Sequence, residues 1–343
     1  MFTSTRLSES SGHTARKIMF VSTRWRGYWA LIVLGIALLA LPFLVSREYT
    51  HLAITLVILV VGTVALRLLF LSGRLTIGQN FFLMTGAYGA GFVILRLQLD
   101  PWIGLVAAAA ISVLIALMLG LILLRVPGVY FSIATVALVL ISTSAMRSFP
   151  ALTGGDQGLT GIPGLAVGSL QFSTDPRILY NYYTMLAIGA ISLAVMYRIE
   201  RSPLGLLIRS LGGNDELAQH LGVSMLRYRM LVFCVGAAFC GLAGAFSSTY
   251  LHQAAPETFG LNSGLYLQIY AVVGGLTSFW GPIVGVLFIE GLVHSLRAAR
   301  YVQPIIYGLI LLLFFLWLRG GLLSLPSAAR DVFRRVTGRG KQE

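Results

Sequence analysis

The sequence predicts an all-α fold: a polytopic helical membrane protein of about ten transmembrane helices, some short or broken, with N- and C-termini cytoplasmic. Three observations predict it. Hydrophobic residues make up 57% of the chain and charged residues 11%, with a mean hydropathy of +0.84, whereas charge is about a quarter of a soluble domain. Apolar runs recur at lengths near the roughly 20 residues that a helix needs to cross a ~30 Å hydrocarbon core. With the N-terminus inside, most of the 25 Lys and Arg fall on the cytoplasmic side, which is the positive-inside bias.

Taken in order, residues 1–27 are basic and rich in Ser and Thr, and read as a disordered cytoplasmic N-terminus. The run 28–45 follows this basic leader without a convincing small-x-small cleavage site, so it reads as an anchor. Runs at 49–71, 81–97, 102–124, 129–146, 178–196 and 230–250 supply the next spans, and 265–277, 282–296 and 302–318 supply three shorter ones. One transmembrane domain, 28–318, thus carries a polar cytoplasmic segment at 198–229 and precedes a basic cytoplasmic tail at 319–343. The net charge of +13 points to membrane lipids and not to nucleic acid, because the clusters at Arg24–Arg26 and Arg330–Lys341 lie against anionic headgroups.

Glycine numbers 38 residues, many inside the apolar runs, where small residues let helix backbones approach. In the seventh span Gly236, Cys240, Gly244 and Ser248 form one row at i+4 spacing, and Ala237, Gly241 and Ala245 form the next. That face must abut another helix, and packing within the monomer is favoured over a subunit interface. Cys234 and Cys240 are six residues apart on different helix faces and imply small core residues, not a disulfide.

Three places interrupt the apolar pattern. Residues 73–88, G-R-L-T-I-G-Q-N-F-F-L-M-T-G-A-Y, put polar groups at the start of a span, where irregular backbone must be covered by protein or line a cavity. Residues 153–163, T-G-G-D-Q-G-L-T-G-I-P, form a turn-rich external loop. Residues 274–282, G-G-L-T-S-F-W-G-P, join two short runs by a tight turn. Such breaks either expose backbone dipoles to a substrate or mark close crossings and turns.

Within the polar segment, Ser202-Pro203 is a helix start, with serine able to cap free N–H groups. Leu204, Leu207, Ile208 and Leu211 then make one apolar stripe that Gly212-Gly213 ends. Asn214 caps a second short helix whose first turn holds Asp215 and Glu216, Leu217 and Leu221 share one face, and Gly222 stops it. Spacing leaves two readings open: docking in a groove of another protein, or lying in the membrane interface anchored by Arg201 and Arg209.

The order Glu216-Leu217-Ala218, three residues, then Gly222 resembles the E-A-A-x-x-x-G signature of permease subunits of ATP-binding-cassette importers, with Leu217 in place of one alanine. The motifs around it resemble branched-chain amino-acid permeases of the LivM type. They are G-R-L-T-I-G-Q and G-A-Y within 73–88, L-R-V-P-G-V-Y-F-S-I-A-T at 124–135, and L-T-G-G-D-Q-G-L-T-G-I-P at 152–163. Others are L-G-V-S-M-L-R-Y at 221–228, G-L-A-G-A at 241–245, P-E-T-F from Pro256, and G-G-L-T-S-F-W-G-P. The similarity runs from about residue 50 to 325. This chain departs from it at Gln79, where many relatives have histidine, at Pro127, at Thr277 in place of glycine, and at Gly212-Gly213.

The resemblance implies one permease of a complex with a second related permease, two cytoplasmic ATPase subunits and an extracytoplasmic substrate-binding protein. Asn214, Asp215, Glu216, Leu217, Ala218 and Gly222 then form the ATPase-coupling element. No G-x-x-x-x-G-K-[ST] loop occurs, so ATP is expected on the partner subunits, and no cofactor, metal or catalytic residue is expected on this chain. Polar groups costly in lipid, Gln79, Asn80, Thr85, Tyr130, Thr135, Gln268 and Tyr270, are candidates for the substrate path or for helix-packing hydrogen bonds. The cargo is a branched-chain amino acid or a related small amide or carboxylate such as urea. A stand-alone secondary transporter or channel using Glu290, His294 and Arg67 is the alternative, and in an importer Glu290 would be dispensable. Glu290 bonded to His294, or paired with Arg67, would be an ordinary buried pair.

Overall fold

The computed structural model describes residues 38–165, 174–213 and 224–295, with the isolated positions 35, 308, 312, 321 and 322. The expected N-terminal and C-terminal segments, most of the runs 28–45 and 302–318, and the whole coupling motif Asn214 to Gly222 lie outside the described residues. The longer helices are α1 (Arg47–Phe70), α2 (Gln79–Arg96), α3 (Pro101–Leu123), α4 (Gly128–Ser148) and α5 (Thr174–Arg201). They continue with α6 (Pro203–Gly213), α7 (Met225–Leu251), α8 (Leu261–Gly274) and α9 (Gly281–Ser295). Among the described residues five helices, namely α1, α3, α4, α5 from Ile178 and α7, are long and apolar enough to cross a membrane.

Each expected run from 49–71 to 282–296 coincides with one helix, but α5 and α7 extend into the polar segment, to Arg201 and from Met225. The extension follows from partners that the sequence hides: Glu200 and Arg229 are both buried, and Arg229 Nε donates to Ser72 O at 3.2 Å. On α6, Ile208 and Leu211 of the expected stripe are buried and Leu207 is half-buried, while Leu204 is exposed and Gly205 is buried in its place. A Cβ at position 205 would sit 2.0 Å from Glu200 O, so the start of α6 lies against the end of α5. Ser202 does not use its side chain as the expected cap; its Oγ donates back to Ile199 O at 2.7 Å.

α7 is central and packs on α1, α2 and α3. Its small rows face inward, with Gly236, Cys240, Gly244 and Ser248 all buried. A Cβ on Gly244 would lie 1.9 Å from Leu83 O and one on Gly86 would lie 2.0 Å from Gly241 O, so α2 and α7 touch backbone to backbone. The expected packing within the monomer is what is observed, and it is the close van der Waals approach that holds helices together in lipid. Both cysteines are free. α3 turns Gly104, Ala108, Ser112, Ala116 and Gly120 inward and leaves Val106, Met118 and Ile122 exposed, a lipid-facing surface. Its start is fixed by Asp100, whose carboxylate accepts from Trp102 N at 2.8 Å, with Pro101 in the first turn.

The one departure from all-helical structure among the described residues is an antiparallel pair of two-residue strands, β1 (Leu159–Thr160) and β2 (Gln253–Ala254). It ties the turn-rich 153–163 loop to the end of α7. Gly158, at φ +71° and with a would-be Cβ 1.9 Å from Ala254 O, is a position where only glycine fits.

Candidate functional site

Two segments outside the α-helices enter the bundle from opposite ends and meet. The first, 71–78, follows α1 and delivers the start of α2; its backbone is satisfied by polar side chains. Gly78 N donates to Thr76 Oγ1 at 2.9 Å, Ile77 N donates to Thr135 Oγ1 at 3.4 Å, and Ser132 Oγ donates to Leu75 O at 2.8 Å. The second, 252–260, runs from β2 to the start of α8. With 14 residues, α8 is ~21 Å long and falls short of a ~30 Å core. Asn80 Nδ2 donates to Gly260 O at 2.9 Å and joins the two segments. This is the covered irregular backbone that lipid permits.

Beside that junction lies a cavity of about 270 Å³ between α1, α2, α7, α8 and α9. Ile58, Leu59, Leu83, Phe259 and Leu267 form its apolar wall, and Thr55, Asn80, Ser247, Thr258 and Ser263 supply polar groups. Tyr250, Tyr266, Tyr270 and Glu290 complete the lining. Tyr270 OH donates to Glu290 Oε1, and Tyr250 OH bonds His51 Nδ1. A largely apolar pocket with a few convergent polar groups is the form a small-molecule site takes.

An ion triad built on a buried pair forms at the other end of the bundle. Arg67, 1% exposed, donates to both carboxylate oxygens of Glu200 at 2.6 and 3.0 Å, and to the carbonyls of Leu276 and Thr277 at 2.9 and 3.3 Å. Arg209 of α6 donates to Glu200 Oε1 at 2.5 Å. A bidentate guanidinium with every lobe bonded is how a charge survives such burial. The triad links α1, α5, α6 and the turn between α8 and α9 through five hydrogen bonds.

The expected pairing of Glu290 with Arg67 or His294 is therefore replaced. Arg67 takes Glu200, Glu290 takes Tyr270, and His294 packs its ring 5.2 Å from Tyr49. No array of the three forms among the described residues, because each has a partner on a different element. Of the polar candidates, Asn80 and Tyr270 line the cavity. Thr85 bonds back to Phe81 O at 2.7 Å within its own helix, and Thr135 supports the 71–78 segment. Tyr130 is exposed on α4. Gln79 is buried with neither amide atom hydrogen-bonded among the described residues, and Gln268 Oε1 is likewise buried without a partner. Tyr250, Tyr266, Thr55 and Ser247 were not legible as lining residues. They carry no spacing signal, since the cavity collects them from separate helices.

The family described as "Branched-chain amino acid transport system / permease component" matches residues 49–318. The high-affinity branched-chain amino acid transport system permease protein LivM of Salmonella typhimurium is 26% identical over 335 residues, covering 92% of this chain and 77% of that protein. LivM of Escherichia coli K12 is 26% identical over 317 residues, covering 86% of this chain and 74% of that protein. The ribose import permease protein RbsC of Bacillus subtilis is 24% identical over 146 residues, 39% of this chain and 45% of that protein. No solved structure matches the chain. With the apolar spanning helices, these matches make the protein a multi-pass membrane permease subunit, and it belongs to the family of permease components of branched-chain amino acid transport systems.

Proposed function

We propose that this chain is one of two related permease subunits of an ATP-binding-cassette importer in a prokaryotic plasma membrane, and that its cargo is a branched-chain amino acid. The observation that carries the reading is the cavity of about 270 Å³ at the junction of segments 71–78 and 252–260, whose lining divides between apolar and polar side chains. A small molecule with an aliphatic side chain and polar main-chain groups matches that division. Transporters place substrate sites where helices break, as α2 and α8 begin here.

In this reading the end carrying α6, Arg67, Arg74, Arg209 and Arg229 faces the cytoplasm, in keeping with the positive-inside bias. ATPase subunits dock on Asn214, Asp215, Glu216, Leu217, Ala218 and Gly222, which follow directly on α6, and a binding protein delivers cargo at the β1–β2 end. The Arg67–Glu200–Arg209 triad gives the push a rigid route from α6 to the α8–α9 turn. Coupling requires that the ATPase bind the element differently in two states. A stand-alone carrier working through Glu290, His294 and Arg67 has less support, since these residues hold different partners.

The test is uptake of labelled leucine and urea in a strain carrying the whole operon, with Glu216→Ala and Gly222→Leu variants. Leucine uptake that both substitutions abolish, with the protein still inserted, supports the proposal; uptake that survives them overturns the coupling assignment, and uptake of urea alone overturns the cargo.

A further inference from the structure

Glu290 lies in α9, a helix otherwise free of charged residues up to His294, yet it opens onto the cavity and not onto a basic partner. Among the described residues its hydrogen bond is to Tyr270 OH, which engages Oε1 and leaves Oε2 for whatever fills the space. It is also the one Asp or Glu on the lining among those residues, and no Lys or Arg joins it there. Two histidines lie on the helices around it: His294, one turn further along α9 and packed on Tyr49, and His51, held by Tyr250 at the cavity wall. The guanidinium of Arg67 is committed to Glu200. A carboxylate in an apolar layer is costly without a cation or several donors, and a single phenol supplies one donor.

We infer that Glu290 is the specificity-determining residue that receives the ammonium group of the amino-acid cargo, with Oε2 accepting from it while Tyr270 holds Oε1. The cargo's aliphatic side chain then rests on Leu59, Leu83 and Leu267, across the cavity. The geometry explains three features together: an acidic residue where lipid disfavours one, the tyrosine that fixes one oxygen only, and apolar walls beside it. Glu290 is therefore not dispensable in an importer, contrary to the expectation from its place in the sequence. The inference rests on the amino-acid reading above and adds a selection step at the permease to the selection made outside the membrane.

The test uses the full complex of both permeases, ATPases and binding protein in proteoliposomes, and reads leucine delivered per ATP hydrolysed. Glu290→Gln keeps the shape and removes the charge, and is expected to lower that ratio by roughly tenfold or more, the scale of one lost charge-assisted hydrogen bond. Glu290→Asp is expected to recover most of it, while the concentration of loaded binding protein that half-saturates uptake changes by less than about twofold, because docking occurs elsewhere. A Glu290→Gln complex that delivers leucine at an unchanged ratio overturns the inference, as does one in which uptake and hydrolysis fall in step, the mark of a purely structural role. Uptake by the wild-type complex driven by a pH gradient without ATP also overturns it, since Glu290 would then carry protons. Wild-type complex that takes up no leucine defeats the proposed cargo itself, which separates the two failures.

Discussion

Removing the carboxylate of Glu200 is expected to be among the most destabilising single changes in the bundle. Arg67 is 1% exposed and the Glu200 side chain 4% exposed, so solvent cannot compensate either charge. In Glu200→Ala, Arg67 keeps its bonds to the carbonyls of Leu276 and Thr277 but loses both contacts to the carboxylate. An uncompensated buried charge of this kind costs about 3–5 kcal/mol. Arg209 contributes little to that figure. Its side chain is 49% exposed, and exposed ion pairs are worth about 0–1 kcal/mol, so Arg209→Ala should leave stability nearly unchanged. The Arg67→Met, Glu200→Leu double variant should recover most of the loss, because apolar groups of similar volume often match a buried pair. Unfolding titrations in mixed detergent, with the two single variants and the double variant, measure all three. A Glu200→Ala shift below about 1 kcal/mol would refute the reasoning, because such a small cost requires water or another anion at Arg67.

The backbone contact between α2 and α7 predicts that Gly244→Leu yields aggregated or uninserted protein, since even a Cβ would meet Leu83 O at 1.9 Å; Gly291→Ala, with nothing within 4 Å, should run as wild type in size-exclusion chromatography. Asn80→Ala removes one of the two donors to Gly260 O, which keeps Gly264 N at 3.2 Å, at a cost of about 0.5–1.5 kcal/mol, and should lower uptake by the whole complex; normal uptake would remove the junction from the route. Arg209→Ala, though nearly neutral for folding, should reduce ATP-driven uptake severalfold if α6 acts through Glu200, and a normal rate would leave the triad a purely structural device.

Helix positions were legible because apolar runs of spanning length say where lipid is met, and the small face of α7 was legible because Gly236, Cys240 and Gly244 recur at helical spacing. The interruption at 73–88 was legible for the same reason, as polar residues at a span's start demand cover. Partners across the fold were not. Arg67 sits 133 residues from Glu200, and nothing in local spacing distinguishes Glu200 from Glu290 as its mate. Ser202 reads as a cap from its neighbour Pro203, but tertiary closeness of Gly205 to Glu200 turns its hydroxyl back on Ile199. The cavity was half legible: Asn80 and Tyr270 are polar groups out of place in lipid, whereas Thr55 and Ser247 are unremarkable in their helices and acquire meaning only when five helices converge.

The central claim, a permease subunit that passes a branched-chain amino acid only when coupled to ATPases, is tested most directly by reconstitution. Proteoliposomes holding this chain, its related permease and the ATPase subunits, with binding protein outside and ATP in contact with the ATPase face, are predicted to accumulate labelled leucine and to stop when the ATPases are omitted. Leucine flux through this chain without ATPases, or none through the complete complex supplied with ATP, would contradict the account.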